Sequence, residues 1–576
     1  MTRKKNSKKT NKKSFYFDDY NYYSKSKSKL DINEDRIYLL FFVFFCLIFI
    51  FSIKIFATSL QGISFKNTQS YYNSIFKPLR NDIVDRNGES IAKNIRVYHA
   101  AIKPSLIKNK EKFILKIQLL YPGIDIKTVK KKLKKNKYFY LKRNITEEER
   151  AKLWSMGEKG LLFETTQIRI YPQKSLFSHV VGQIDDNNNG ISGLEKSFNR
   201  ELKLNNEPLI MTLDTNLQFL IREELVKFQK IFKNIGSASI LMEINSGEIL
   251  SMVSLPDFDL NKRETIDDVN YINRATKGVY ELGSVFKTFT LAGALNEGLV
   301  ETDTEFKNLP KKITCAGRPI GEYDEKIPSS LTAEQILIRS GNIGSVRIGQ
   351  KIGGERMRDF LQNIGVLSKI EFDIEEVGEP IPFRWGKCKL ATASFGHGIT
   401  TTLLQLAKGY SIISNGGFNI KPTLIKRKSK ESKKIRILNK EVSKKINPIL
   451  RKIVSTKEGT ANFANIEGYE VGGKTGTAQK SFNGIYSKNK INTFVAVFPI
   501  SKPKYVLLVL LDEPKPSKNY IYHYKDGSGW KYKGTPYNTA GWTSVEIAGK
   551  IIEKIGPILA INRIDFYDNH VVKKSY

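Results

Sequence analysis

The sequence predicts an α+β protein with one membrane helix near its N-terminus. Three observations support this fold class: one uncharged apolar run, two strand hairpins far apart in the chain, and helical segments between the hairpins. Strands at both ends with helices between them favour a single antiparallel sheet, built from distant parts of the chain and packed by helices. At 576 residues, the chain has room for about three to four domains.

The apolar run covers residues 37–53 and reads IYLLFFVFFCLIFIFSI. Extended to Ala57, with Lys54 reaching the interface, it gives a helix of about 31 Å for a hydrocarbon core of about 30 Å. Seven of the first 13 residues are basic, which keeps that end cytoplasmic, and no A-x-A cleavage site follows. We expect a cytoplasmic tail (1–36), a signal anchor (37–57) in the inner, cytoplasmic membrane, and an exported, periplasmic remainder.

The sequence pattern of the exported part changes near residue 208. Residues 58–207 alternate strand-like runs with basic helical ones, such as the lysine-rich segment 124–136, which is typical of a solvated amphipathic helix. A second domain is predicted over 208–560, followed by a tail over 561–576. Its hairpins lie around Asn245-Ser246-Gly247 and between NTFVAVFPI and KPKYVLLVLLDEP. The basic stretch from Lys421 to Lys445 is predicted to be an exposed loop or connection.

Charge and cysteine content exclude some classes of function. The formal net charge of +36 indicates a polyanionic partner (nucleic acid, an anionic membrane surface or an acidic polymer) or a lysine-rich compositional bias. The cysteines, Cys46, Cys315 and Cys388, are too few for a disulfide framework and form no C-x-x-C. The five histidines do not pair at helical spacing, so a histidine-built metal site or triad has no support.

Ser284 and Lys287 form the first of three candidate chemical motifs. They stand in GSVFKTFTLAGAL, where Gly283 permits a tight turn into a helix. Residues i and i+3 share a helix face, so the spacing places an amine beside a hydroxyl, the serine–lysine form of an activated nucleophile. The lysine must be neutral to accept the proton, which requires burial or a nearby positive charge. Alone, S-x-x-K is also satisfied by a capping serine and a surface lysine.

The second motif is Ser340-Gly341-Asn342, which follows a predicted helix. A second hydroxyl can relay a proton, and an asparagine side chain offers a donor and an acceptor to a substrate amide. In isolation the same three residues are typical of a turn that ends a helix.

The third motif is Lys474-Thr475-Gly476-Thr477, on a predicted strand. Gly476 would leave room for a substrate chain beside the strand, and a backbone N–H here could stabilise an oxyanion. Residues 468–475 also satisfy the literal P-loop pattern. We disfavour that alternative because no Walker-B-like strand is evident and export separates the domain from ATP.

Together and in this order, the three motifs resemble those of penicillin-recognising serine acyl transferases. The resemblance covers about residues 75–560 and is to class B penicillin-binding proteins. Further motifs resembling the family's pedestal and the start of its transpeptidase domain are LRNDIVDRNG (79–88), RIYP (169–172), HVVG (179–182), GLE (193–195) and TLD (212–214). SGNIG (340–344) and SFGHG (394–398) most resemble the septal branch. Two positions depart from the resembled family: Leu282 stands where a proline commonly precedes the Gly-Ser, and His397 where an aromatic such as tyrosine is frequent. Both lie outside the three core motifs.

The resemblance implies a peptidoglycan D,D-transpeptidase that is inhibited by β-lactams and needs no metal or organic cofactor. Ser284 would be the nucleophile, Lys287 the general base and Ser340 a proton shuttle. Asn342 would hold a substrate amide, while Lys474, Thr475 and Thr477 would bind the terminal carboxylate. Backbone N–H groups of Ser284 and Thr477 would form the oxyanion hole.

The implied partners are peptidoglycan stem peptides, the cell membrane, and division proteins that include a multi-pass glycosyltransferase. Export disfavours nucleic acid. There are two alternatives: an elongation-type enzyme, and a mainly structural division component with an idle or sensing acyl site. The acceptor amine, the oligomeric state and a pairing of Cys315 with Cys388 stay open.

Overall fold

The computed structural model describes residues 34–60, 79–205, 207–262, 268–426, 435–482, 485–524 and 528–572. The chain forms two units, residues 1–77 and 78–576. The first holds helix α1 (Glu34–Leu60). Within it, Tyr38–Phe56 is long and apolar enough to cross a membrane, as no other helix of the described ranges is. The predicted span over 37–57 is therefore helical, and the chain is a single-pass membrane protein.

The second unit begins with a small mixed α/β region. Its strands are β1 (Ile83–Val84), β2 (Ser90–Ile102), β3 (Phe139–Ile145), β4 (Leu161–Ile170) and β5 (Leu209–Ile210). Its helices are α2 (Lys110–Leu120), α3 (Ile126–Lys134), α4 (Glu147–Trp154), α5 (Ser178–Val181), α6 (Gly193–Ser197) and α7 (Asn199–Leu204). The predicted basic helix over 124–136 is thus confirmed as α3.

Strand β2 connects two separate hydrophobic cores. Along its length it pairs antiparallel with β4, from Lys93 opposite Ile170 to Ile102 opposite Leu161. Its far end belongs to a lobe that we call the lysine-rich lobe (residues 97–165), whose own core contains Phe113 and Ile117 of α2 and Val129 and Leu133 of α3. Its near end joins the main core of the molecule through Ile91 and Ala92.

Three residues from the pedestal-like sequence motifs meet in one buried ion cluster. The Glu195 carboxylate accepts from Nε of Arg169 at 2.8 Å and from Nε of Arg80, and all three side chains are at most 1% exposed. A charge this deeply buried is tolerated only when it is paired and hydrogen-bonded, so the cluster fixes β4, α6 and the start of the unit together.

The rest of the unit is the larger α+β region. Its strands are β6 (Gly236–Glu243), β7 (Ile249–Leu255), β8 (Glu305–Phe306), β9 (Lys312–Cys315), β10 (Arg318–Gly321), β11 (Leu331–Thr332), β12 (Gly472–Phe482), β13 (Ile485–Phe498), β14 (Tyr505–Asp512), β15 (Ile521–His523) and β16 (Lys531–Lys533). Its helices are α8 (Thr215–Phe232), α9 (Asp268–Tyr271), α10 (Phe286–Asn296), α11 (Ala333–Ile338), α12 (Asn342–Ile352), α13 (Gly354–Asn363), α14 (Lys387–Ala393), α15 (Leu403–Ser414), α16 (Lys440–Ser455) and α17 (Ser544–Val572).

Five strands form the predicted antiparallel sheet, in the order β12-β13-β14-β6-β7. Both predicted hairpins are present as β6–β7 and β13–β14, and they meet because β14 pairs with β6. Strand β14 (YVLLVLLD) is buried along its whole length, as expected for a strand covered by helices on both faces. The α+β prediction is confirmed.

One predicted loop is wrong in part. The stretch from Lys421 to Lys445 was expected to be exposed, but its last six residues begin helix α16, which Asn439 caps. Apolar residues at helical spacing, including Val442, Ile446 and Ile449, bury one face of α16 beneath its charges. Residues 427–434 lie outside the described ranges.

Candidate active site

The three motifs come from three elements around the central helix α10. Ten of its eleven residues are buried, so side chains on it project into packed surroundings. A 3₁₀ turn at Gly283–Val285 leads into α10 and carries Ser284, which is partly exposed. Gly283 has φ +62°, a conformation that favours glycine, and a Cβ there would lie 2.7 Å from the Thr477 carbonyl oxygen. The predicted tight turn into the helix is confirmed.

Lys287, one turn beyond Ser284, is held by the second motif. Its Nζ donates to Oδ1 of Asn342 at 2.7 Å, to Oγ of Ser340 at 3.2 Å, and to the Ser340 carbonyl oxygen. Ser340 adopts φ +57° in the turn between α11 and α12, which presents its carbonyl and its hydroxyl to the same amine. Among the described residues, no hydrogen bond joins Ser284 to Lys287. The amine is positioned one helical turn from the nucleophile but is engaged by its other neighbours.

Lys474 reaches the same hydroxyl from strand β12. Its Nζ donates to Oγ of Ser340 at 2.9 Å and to the Thr475 carbonyl oxygen at 3.2 Å. Ser340 Oγ therefore lies between two lysine side chains, one from the helix and one from the strand. If both lysines donate to this oxygen, its own hydrogen is free to point toward a substrate.

Burial dominates the electrostatics of both lysines. It lowers the pKa of Lys287 to about 7, and the Glu322 carboxylate opposes that shift. The pKa of Lys474 is also held well below its usual range, first by burial and then by the charge of Lys287. Since two ammonium groups disfavour one another across a shared hydroxyl, the pair favours keeping one amine neutral. A neutral amine at this position is what a general base requires.

The two threonines of the third motif point to different partners. Oγ1 of Thr475 lies 2.8 Å from Oγ1 of Thr460, and Oγ1 of Thr477 accepts from the Ala540 backbone N–H at 2.9 Å. A hydroxyl that accepts one hydrogen bond still has its own hydrogen to donate. Thr477, which is partly exposed, can therefore offer that hydrogen to an anion in the cleft.

Gly476 has a structural use that sequence reasoning did not predict. A Cβ there would collide with the Leu282 carbonyl oxygen and lie 3.0 Å from Cγ1 of Val285. Glycine thus lets strand β12 approach the turn that carries Ser284. The close approach brings the backbone of Thr477 beside that of Gly283.

Glu322 belongs to the site and was missed from the sequence. Its carboxylate accepts from the backbone N–H groups of Asn342 at 2.6 Å and Ile343 at 2.9 Å, at the N-terminus of α12. The Asn342 side chain in turn donates to the Gly321 carbonyl oxygen at 2.7 Å. No motif marks Glu322, which lies 20 residues before Asn342 and directly after strand β10.

A disulfide ties this hairpin to helix α14. Cys315, at the end of β9, pairs with Cys388 of α14, with their Cα atoms 5.5 Å apart. The pairing, left open by the sequence, fits an oxidising compartment. It fixes the hairpin whose far end presents Glu322 to the second motif.

Glu281 joins three segments beside Ser284. Its carboxylate accepts from the Tyr486 hydroxyl at 3.0 Å and from the Gly398 backbone N–H at 2.9 Å. The rings of His397 and Tyr486 stack with centroids 4.6 Å apart. His397, which stands where the resemblance implies an aromatic such as tyrosine, thus still supplies a flat ring at this position. Glu281 was not singled out by the sequence.

The P-loop alternative does not agree with the structure. Lys474 and Thr475 lie within strand β12, and Lys474 pairs in register with Val495 of β13. A P-loop needs its Lys-Thr pair at the start of a helix, where backbone N–H groups surround a phosphate.

Family models agree with this geometry. The model for the penicillin binding protein transpeptidase domain matches residues 237–528, slightly more than half of the chain. The chain belongs to the penicillin-binding proteins. A second model, for the penicillin-binding protein dimerisation domain, matches residues 75–227. A dimerisation domain followed by a transpeptidase domain is the class B arrangement that the sequence resemblance predicts.

Individual relatives cover most of this penicillin-binding protein. It is 28% identical over 499 residues to the probable peptidoglycan D,D-transpeptidase FtsI of Caulobacter vibrioides, covering 84% of this chain and 82% of the relative. It is 29% identical over 490 residues to stage V sporulation protein D of Bacillus subtilis, covering 77% and 75%. A solved peptidoglycan synthetase from Bifidobacterium adolescentis shares the fold, with a TM-score of 0.62 at 19% identity over 84% of this chain and 96% of that one.

Proposed function

We propose that this protein is a serine peptidoglycan D,D-transpeptidase that cross-links stem peptides through an acyl-enzyme during septal wall synthesis, and that β-lactams inhibit it. One observation carries the proposal: a buried lysine, one turn after a partly exposed serine, is held by Ser340 and Asn342 while Lys474 reaches the same Ser340 hydroxyl. The family membership and the names of the relatives support it.

In the first step, Ser284 Oγ attacks the carbonyl carbon of the penultimate D-Ala, and its proton passes to the neutral amine of Lys287. Backbone N–H groups of Ser284 and Thr477 stabilise the negative charge that develops on the carbonyl oxygen. The bond to the terminal D-Ala then breaks, and the leaving amine takes a proton through the Ser340 hydroxyl. The product is an ester between Ser284 and the donor stem peptide.

In the second step, an amine of a neighbouring stem peptide attacks that ester. The new amide forms, the ester bond breaks, and the proton returns to Ser284 Oγ through the same lysine and hydroxyl. Lys474, Thr475 and Thr477 bind the terminal carboxylate of the donor, with Gly476 keeping the strand close to the nucleophile. The second N–H of the Asn342 amide group is available to hold the substrate backbone.

We assign the domains of the chain on the same basis. Residues 1–36 are a cytoplasmic tail, 37–57 the anchor, 58–207 the pedestal, 208–560 the transpeptidase domain and 561–576 a tail, with the catalytic domain outside the cytoplasmic membrane. Septal use implies contact with other division proteins, among them a multi-pass glycosyltransferase. An elongation role and a mainly structural role are the alternatives.

The direct test is turnover. Purified full-length protein is given a pentapeptide stem substrate and an amine acceptor, and cross-linked product and released D-Ala are measured by mass spectrometry. We expect both products in equal amounts from the unmodified protein and neither from Ser284→Ala. Acyl-enzyme without any cross-link, across acceptors of different chemistry, would favour the sensor alternative.

A further inference from the structure

The lysine-rich lobe carries a block of positive charge, with no described carboxylate partner, on helix α3 and the three residues that follow it. Seven of the eleven residues from Lys127 to Lys137 are lysines, and none of the eleven is acidic. All seven side chains are exposed. Within the described part of the chain, none of these seven ammonium groups has a carboxylate oxygen within 4.0 Å. Among the described residues, the fold therefore concentrates like charges here without a carboxylate partner for any of them.

Other charged side chains of the same lobe form ion pairs. On helix α4 and its neighbour strand, Lys142 pairs with Glu149 at 2.5 Å, Lys152 with Glu148 at 2.9 Å, and Arg150 with Glu147. A general lysine bias of the sequence would leave the basic side chains of both helices equally unpaired. The contrast indicates that the charge on α3 is kept for something outside the chain.

The orientation of α3 suits a flat, extended partner. Val129 and Leu133 are buried in the lobe core, and Asp125 caps the N-terminus of the helix by accepting from the Thr128 backbone N–H. With one face fixed to the lobe, the lysines occupy the outward side. Their long side chains can spread over a surface without any change in the backbone.

We propose that this face of α3 binds the anionic phospholipid headgroups of the bilayer in which the chain is anchored. Clustered lysines near a membrane are attracted to anionic headgroups within about a Debye length of the surface. Residues 61–78 are eighteen positions between α1 and the described start of the second unit, a reach of at most roughly 60 Å. Strand β2 is about 40 Å long and runs from the main core into the lobe. The largest possible reach of residues 61–78 therefore exceeds the length of the strand that leads to the lobe.

The consequence is a second attachment to the membrane, independent of the transpeptidase chemistry. Anchoring by α1 limits the distance of the second unit from the bilayer, and docking of α3 would limit its orientation as well. This inference goes beyond the proposed function and needs no acyl transfer, so its failure leaves that function intact.

The test uses the full-length protein in lipid nanodiscs made of phosphatidylcholine alone or mixed with phosphatidylglycerol. Exposed lysines are acetylated with a small amine-reactive ester, and the rate at each site is read by mass spectrometry. We expect the lysines of 127–137 to react at least about threefold more slowly in phosphatidylglycerol discs, since each basic residue near the surface adds to binding. About 1 M salt, with a Debye length near 3 Å, should remove the protection. Because both disc faces carry the same lipid, the result does not depend on topology.

A matched pair of variants separates docking from non-specific charge. In the docking variant four lysines of the block 127–137 become glutamine: Lys130→Gln, Lys131→Gln, Lys134→Gln and Lys135→Gln. In the control variant four exposed lysines of the transpeptidase-like region are replaced by glutamine: Lys326→Gln, Lys351→Gln, Lys488→Gln and Lys518→Gln. The remaining α3 lysines should lose protection in the docking variant and keep it in the control. Fluorescent penicillin labelling of both variants shows that they are folded.

Three outcomes would overturn the proposal. The first is equal acetylation of the α3 lysines in the two kinds of disc. The second is protection that persists in the docking variant. The third is protection that appears only when purified peptidoglycan or an acidic protein is added, which would assign the face to a different polyanion.

Discussion

Nζ of Lys287 lies 2.7 Å from Oδ1 of Asn342, although 55 residues separate them in the chain. The contact joins the helix that follows the nucleophile to the turn between α11 and α12, and Ser340 brings in the third motif through Lys474. The ammonium form can donate to all three of its acceptors, whereas the neutral amine has two hydrogens for them and one lone pair for a proton. We therefore expect the protonation of Lys287 to control the rate of acylation.

Replacing Lys287 with arginine should disable acylation. Arginine keeps the positive charge but does not lose its proton in proteins, so no base remains beside Ser284. The rate of acylation by a fluorescent penicillin should fall at least about 10²-fold, the low end of general-base contributions. Lys408→Arg, at a half-buried lysine outside the site, is the control and should label normally. Near-normal labelling of Lys287→Arg would place the base elsewhere.

The acylation rate should depend on pH through Lys287. Burial lowers its pKa to about 7, so the amine is charged and inactive below that pH and neutral and active above it. The rate should rise with pH through about 7, roughly tenfold per unit on the acidic side, and then level off. Stopped-flow acylation over the range where the fold is intact measures this. A profile that falls with rising pH through this range would contradict a neutral lysine base.

Glu322→Gln should move that pH profile toward lower pH. The carboxylate raises the pKa of Lys287 against the effect of burial, so its removal should lower the pKa further. Glutamine retains one carbonyl oxygen for the N-terminus of α12 and is nearly the same size. A merely structural role would reduce the rate without moving the midpoint. An unchanged or upward-shifted midpoint would refute the electrostatic link between Glu322 and the base.

Gly476→Ala should slow acylation by forcing β12 away from the nucleophile turn. The added methyl would meet the Leu282 carbonyl oxygen and Val285, and neither backbone nor buried valine can yield freely. A displacement of about 1 Å in an active site can cost about 10²-fold, so we expect a loss of at least roughly tenfold. Gly354→Ala, where a Cβ meets nothing within 4 Å, is the control. Full activity in Gly476→Ala would mean that the close approach is dispensable.

The sequence predicted the motifs and the hairpins but not the contacts that support them. S-x-x-K spacing predicts a shared helix face because it is local, and β6–β7 is predictable from its turn and apolar strands. Glu322, Glu281 and the Cys315–Cys388 pair act through contacts between distant segments, which no local pattern encodes. Gly476 was assigned to substrate because the approach of Leu282 depends on the packing of α10 against the sheet.

The partly wrong loop between Lys421 and Lys445 has a different cause. The eleven basic residues of that stretch led to the prediction of an exposed loop, although the apolar positions of α16 begin within the same stretch. Those positions, Val442 and Ile446 among them, repeat at helical spacing and are buried. Here the signal was present in the sequence, and the charge count obscured it.

The central claim is that Ser284 is the acylated nucleophile, and covalent labelling by fluorescent penicillin tests it most directly. Full-length protein and its Ser284→Ala variant are purified, compared for folding by thermal unfolding, and incubated with the reagent before denaturing electrophoresis. Ser329→Ala, at an exposed serine outside the site, is the matched control. We predict labelling of the unmodified protein and the control, and none of the Ser284→Ala variant with its unfolding transition intact. Covalent labelling of a folded Ser284→Ala protein would contradict the account.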